Sequence, residues 1–392
     1  MIFTEQEMSS RLTALKGRMK DQNIDLAFIV YPTDLYYFCG ITLHATLLVP
    51  LENEPILFVQ INMARAKKDS AIRNLQPSRG ISTVIDYLRQ TRVDGVVVGL
   101  EFDVLPVQIY HKLANALPEA TFTDISPLIL SIRSKKSSRE INCIKKAAKI
   151  SSYGFKLCEE LISPGKTEHE VRLTVARKEF LLGAEIPEMR AWNKRMDWGV
   201  FASGENTTEI SGYWMCETGS GIYPFRPYGP TYKKIEKGDI VCVNKGVAVH
   251  GYCVDEARTF VVGKATEQQA KIFASLCRAQ EVMLKKAKHG VTARELYLAG
   301  WQEIDKAGYG KYFMAGAFYD FPYVGHGVGL EIDEPPMLTP SSRCVLEEGM
   351  VLAIEPKIII PGWGGIDLED TVLVTNDGGG ILTETEWKLF EV

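Results

Sequence analysis

At 392 residues the chain is longer than one ordinary core can use, so two domains are expected. Apolar residues make up 46% and charged residues 24%, the balance of a globular chain that folds in water. The net charge is −4, from 45 basic and 49 acidic side chains, and no long basic run occurs, which argues against nucleic-acid or polybasic membrane binding.

The opening MIFTEQEMSSRLTALKGRMK is charged and lacks the apolar core of a signal peptide. No apolar run of about 18 residues follows, so no membrane span is expected and a cytoplasmic location is. Eight cysteines without a CxxC pair fit a reducing compartment rather than a zinc knuckle. An amphipathic helix over 4–22 leads into a strand at 25–30. TLLVPLENEPILFVQ reads as a hairpin turning at Glu52-Asn53-Glu54, before a strand at 96–101 and a helix near 104–116. This is the pattern of a mixed sheet with helices on its faces.

Residues 131–140, rich in Lys, Arg and Ser, read as a polar link ending in a helix start capped by Ser137 or Ser138. A second helix follows Thr167, with Glu170 placed to close a capping box. From about 197 strands dominate: WGVFASG, DIVCVNKGVAV, GYCVDEARTFVVG, MVLAIEPKIII and GIDLEDTVLVT. Helices near 266–287 and 292–306 interrupt them. The fold class is α+β: an α/β domain over 1–133, then over 138–392 a curved, largely antiparallel sheet backed by helices.

Four motifs of the second domain set a polar residue inside an apolar or glycine-rich run. They are GYCVDEARTF with Asp255, VGHGVGLEIDEPP with His326, VLAIEPK with Glu355 and GIDLEDTVLV with Glu369. A buried carboxylate costs several kcal/mol unless it is paired or bound to a metal. Taken singly, each could be a solvated strand-end carboxylate or a turn residue. Taken together and in this order, one imidazole and three carboxylates form a ligand set for a divalent ion such as Mn, Fe, Co or Zn.

With these motifs the chain resembles the pita-bread metallopeptidase superfamily, which includes aminopeptidase P, prolidase and creatinase. The likeness covers nearly the whole chain, with DLYYFCGITLHATLLVP resembling the creatinase-type N-terminal domain. It implies a two-ion site on Asn244, Asp255, His326, Glu355 and Glu369, of which Asn244 departs from the family's aspartate. An amide oxygen can ligate but neutralises no charge, so a weak second site, or one ion only, is expected. Two further departures are acidic: Asp333 where a second histidine is usual, and Asp367 where an arginine is common. Residues 205–243 also lack the histidine that family enzymes place there. The resemblance further implies a homodimer.

An acidic pocket favours a cationic small-molecule substrate, with Asp333, Asp367 and the aromatic residues Trp198, Phe201, Trp214 and Tyr323 as candidate binders. The reading is a metal-dependent hydrolase of a C–N bond in an amide or amidine. Its catalytic residues would be Glu355 as ligand and proton shuttle, Asp333 at the leaving group, and His326. Two alternatives stand beside it. One is a dimethylsulfoniopropionate-type lyase with Asp333 as base, and the other is an Xaa-Pro dipeptidase or aminopeptidase.

Overall fold

The computed structural model describes residues 3–91, 95–190, 199–211, 218–320 and 322–392. The chain folds as two compact units, Met1–Arg133 and Ser134–Val392.

In the first unit six strands form one mixed sheet: β1 (Leu26–Ile29), β2 (Ala45–Pro50), β3 (Ile56–Val59), β4 (Leu75–Pro77), β5 (Val97–Leu100) and β6 (Thr121–Asp124), in the order β4-β3-β2-β1-β5-β6. The β2–β3 hairpin pairs Leu48 with Ile56, so the expected turn falls between them. The first helix, Glu5–Asp21, starts at Thr4, whose side chain accepts from the Glu7 amide. Within the first unit, the Arg133 guanidinium donates to Asp34 at 2.7 Å, with both groups buried. Glu101 Oε2 accepts from the Val30 and Tyr31 amides at 2.7 and 3.0 Å. The stretch read as a polar link is shorter than 131–140: residues 131–134 close a helix, Ser126–Ser134, and the next helix opens after Ser137, as expected. The first of these helices buries Leu128 and Ile129.

In the second unit, helices Ser138–Leu161 and Glu168–Leu181 open with complete capping boxes at Ser137/Glu140 and Thr167/Glu170. They pack on a sheet of β7 (Val200–Ser203), β8 (Ile240–Val249) and β9 (Tyr252–Val261). β10 (Gly325–Gly327) pairs with β11 (Val351–Ile354), which with β12 (Lys357–Ile360), β13 (Gly364–Asp367) and β14 (Asp370–Val374) shares a second core with helices Glu267–Lys286 and Ala293–Lys306. Two strands foreseen as continuous are broken. MVLAIEPKIII divides at Glu355-Pro356, and GIDLEDTVLV divides at Leu368-Glu369. A proline lacks the N–H that would continue the ladder, so Pro356 turns the chain from β11 into the β12–β13 hairpin. Both breaks leave a glutamate at a strand end. No helix of the described residues is long and apolar enough to cross a membrane.

Candidate metal centre

Three strand systems converge on one acidic cluster. β9 supplies Asp255, held by a double clamp: the Asp255 amide donates to Thr371 Oγ1 at 2.9 Å, and that hydroxyl donates to the Asp255 carbonyl at 2.8 Å. β10 supplies His326, which faces Ala353 across the ladder. Gly325 has φ +147°, and a Cβ there would collide with the Ala353 carbonyl oxygen, so glycine is required for this close approach. The two strand breaks supply Glu355 and Glu369. Arg258, fully buried, pairs with Asp370 at 2.8 Å and so anchors the residue after Glu369.

Donor atoms of Asp255, His326 and Glu369 all lie within 4.8 Å of one another. His326 Nε2 is 3.5 Å from Glu355 Oε1 and 4.0 Å from Asp255 Oδ2. Its Nδ1 lies 3.1 Å from the Gly327 carbonyl, which can only accept, so Nδ1 carries a proton and Nε2 faces the carboxylates. Asp333 Oδ1 lies 4.0 Å from Nδ1 on the other side of the ring. Its side chain is 37% exposed, whereas Asp255 and Glu355 are buried.

The electrostatics call for a cation. Burial pushes Asp255 up to about 6, although His326 and Lys357 pull it back down. Burial likewise pushes Glu355 up to about 8, opposed by Lys357 and His326 and assisted by Asp367 and Asp255. Glu369 stands well above the usual carboxylate range, through burial first and then through Asp255, Glu355 and Asp367. Burial lowers His326, but Asp333, Glu355 and Asp255 together overcome it and carry the imidazole up to about 9. Among the described residues, Asp255 Oδ1 is buried with no hydrogen-bond partner. An orphaned oxygen inside a crowd of carboxylates around an imidazole fits a divalent metal ion.

Asn244 is beside the cluster on β8, and its Nδ2 donates to Glu369 Oε2 at 3.1 Å. Asp367 does not face an open pocket: its Oδ2 is 3.0 Å from the ammonium of Lys357, its register partner across the β12–β13 hairpin. Phe201 is 1% exposed and packs with Phe155, Val241 and Val243. Its neighbour Val200, opposite Asn244, takes the face nearer the site, as strand alternation requires. Tyr323 is buried in the core shared with the Glu267–Lys286 helix. Trp198 and Trp214 lie outside the described residues.

Sequence reading passed over Lys357, Thr371 and Arg258. Lys357 carried a signal, since a lysine followed by three isoleucines in a strand needs a buried anionic partner. Thr371 clamps the Asp255 backbone and Arg258 pairs with Asp370, more than a hundred residues away in both cases, so no local spacing reveals them.

Residues 142–376 match the family model described as "Metallopeptidase family M24", and residues 11–135 match "Creatinase/Prolidase N-terminal domain". The chain is 32% identical to an Xaa-Pro dipeptidase of Pyrococcus furiosus, over 97% of this chain and all of that protein. It is 28% identical to an Xaa-Pro dipeptidase of Lactobacillus helveticus, over 96% of this chain and 97% of that one. The prolidase structure from Pyrococcus horikoshii OT3 superposes with a TM-score of 0.81 at 30% identity, covering 96% of this chain and 99% of that chain. The Xaa-Pro dipeptidase structure from Bacillus anthracis gives 0.84 at 26% identity, covering 98% of this chain and all of that one. This similarity runs end to end and includes the domain that carries the Asp255–His326–Glu369 cluster. The chain therefore belongs to the M24 metallopeptidase family, as a divergent pita-bread metal-dependent hydrolase with a creatinase/prolidase-type N-terminal domain.

Proposed function

We propose that the chain hydrolyses the C–N bond of a small peptide-like amide that carries a cationic group beside the scissile bond. The observation that carries this reading is Asp333, a part-exposed carboxylate 4.0 Å from the ring of a buried histidine in the metal cluster. A carboxylate so placed attracts an ammonium or guanidinium group. The relatives' names, Xaa-Pro dipeptidase and prolidase, support a small peptide as the substrate class.

Asp255, His326, Glu355 and Glu369 would hold the ion, which is Mn, Fe, Co or Zn by ligand type. When bound, a divalent ion supplies Lewis-acid polarisation and lowers the pKa of water toward neutrality. The side chains do the remaining work. Glu355, lying 3.5 Å from His326, takes a proton from the attacking water as the C–O bond forms. Asp333 orients the cationic end of the substrate, and Glu355 passes the proton it took from the water to the departing nitrogen as the C–N bond breaks. Asp367 is committed to Lys357 and contributes only to the field.

A second reading, a plain Xaa-Pro dipeptidase, is favoured by the 32% identity to an enzyme of that name. We also take residues 1–133 and 138–392 as the two domains, and the molecule as a cytoplasmic homodimer that sedimentation would reveal.

Metal-loaded protein incubated with matched neutral and cationic amides decides among these readings by product analysis. An acid and an amine from the cationic series support the proposal, while an alkene product would show elimination. Turnover of Xaa-Pro dipeptides on the order of 10 s⁻¹, with none for cationic amides that lack proline, would establish the second reading.

A further inference from the structure

We infer that Lys357 is a resident cation of the metal centre: its ammonium and the Asn244 amide occupy one side of the carboxylate cluster, so the chain holds a single metal ion. This rests on the metal-dependent reading above.

The cluster has two unequal sides. On one, Asp255, His326 and Glu369 turn donor atoms toward a common point, and Asp255 Oδ1 has no hydrogen-bond partner. That side needs a cation from solution. On the other, N–H groups of the chain itself already meet one oxygen each of Asp367 and Glu369, while among the described residues Asp367 Oδ1 is buried with no hydrogen-bond partner. Lys357 Nζ lies 3.0 Å from Asp367 Oδ2 and 3.9 Å from Glu355 Oε2, and Asn244 Nδ2 lies 3.1 Å from Glu369 Oε2.

The ammonium is held in place. Lys357 and Asp367 face each other in the β12–β13 register, and the Lys357 side chain is only 5% exposed. Asp367 is clamped in turn: its amide donates to Thr259 Oγ1 at 2.8 Å, and that hydroxyl donates to the Asp367 carbonyl at 2.9 Å. The cavity bordered by Asn244, Lys357 and Asp367 measures about 10 Å³ and is otherwise lined by residues such as Val200 and Cys242. That is room for about one water, and none of Asp255, Glu355 and Glu369 lines it. A second divalent ion would have to sit within a few ångströms of a fixed positive charge in a buried setting, where like charges repel far more than in water. Asn244 fits the same logic, because a neutral donor suits a position beside Glu369 where the balancing cation is supplied by the chain. Lys357 is thus a positioning residue: it sets the number of ions and holds Glu355 and Asp367.

The test uses Mn²⁺ alone as probe, with the full-length protein. Metal content after desalting, calorimetric titration and the Mn²⁺ EPR spectrum are measured on the wild type and on Lys357→Met combined with Asn244→Asp. The wild type is expected to saturate at one ion per chain with an isolated-ion spectrum, even in millimolar Mn²⁺. The double variant is expected to take a second ion and show a spin-coupled spectrum. Two ions or a coupled spectrum in the wild type would overturn the inference while leaving the metal-dependent reading intact. Failure of the wild type to bind Mn²⁺ would defeat both. A folded double variant that still binds one ion would show that Lys357 does not limit the count. Should that variant not fold, the wild-type stoichiometry and spectrum decide alone.

Discussion

The amide of Asn244, on β8, donates to the Glu369 carboxylate at 3.1 Å, where β13 gives way to β14. Glu369 is buried among Asp255, Glu355 and Asp367, all of which make its ionisation harder. An amide at that point relieves the crowding without adding charge. Asn244→Ala should therefore destabilise the metal-free protein by about 1–3 kcal/mol, the cost of leaving a buried acceptor unpaired. Denaturant midpoints at fixed m-value would measure this. An unchanged midpoint would mean that Glu369 finds another donor.

Metal affinity should rise with pH. In the metal-free state Asp255 sits at about 6, Glu355 at about 8 and His326 at about 9. Near neutrality Glu355 and His326 hold protons that an incoming ion must displace. Apparent affinity should then increase about tenfold per pH unit for each proton released, between pH 6 and 9. Calorimetry in buffers of different ionisation enthalpy counts those protons directly. A pH-independent affinity over that window would contradict the assignment of these residues as ligands.

Asp333→Asn separates a role in turnover from a role in holding the ion. Asp333 is the first of the neighbours that raise His326, so removing its charge should let the imidazole lose its proton more readily. Metal affinity at pH 7 should be unchanged or slightly greater. Turnover of the cationic substrate should fall by about 10²-fold or more if the carboxylate holds its charged end in register with the scissile bond. Equal losses of metal and activity would place Asp333 among the ligands instead.

Much of this centre was legible because each ligand interrupts an apolar run: Asp255 in YCVDEA, Glu355 after VLAI and Glu369 within IDLED. Local sequence also marked the helix starts, since a Ser or Thr followed by Glu three residues on satisfies backbone groups independently of the rest of the fold. Other features depended on partners distant in sequence. Asp367 looked like a lining carboxylate until the hairpin register put Lys357 opposite it. Phe201 looked available as an aromatic contact, but pairing with Val243 turned it into the core under the Ser138–Leu161 helix. Strand register decides which face a side chain takes, and register is set by long-range pairing.

The first unit offers a separate test that involves none of the metal ligands. Glu101 is buried, and burial followed by the neighbouring Asp34 lifts its carboxyl well above the ordinary 4.5. A carboxyl raised in the folded state contributes its full stabilisation below its unfolded pKa, and that contribution is lost as pH rises through the folded value. Glutamine at this position keeps an oxygen to accept from the Val30 and Tyr31 amides and cannot ionise. Glu101→Gln should thus melt close to the wild type at pH 4 and below. With increasing pH it should become the more stable protein by a few degrees in Tm. Melting curves of both proteins from pH 4 to pH 9 provide the check. A variant less stable than the wild type at pH 9 would show that Glu101 is ionised in the folded protein, reversing the sign of the argument.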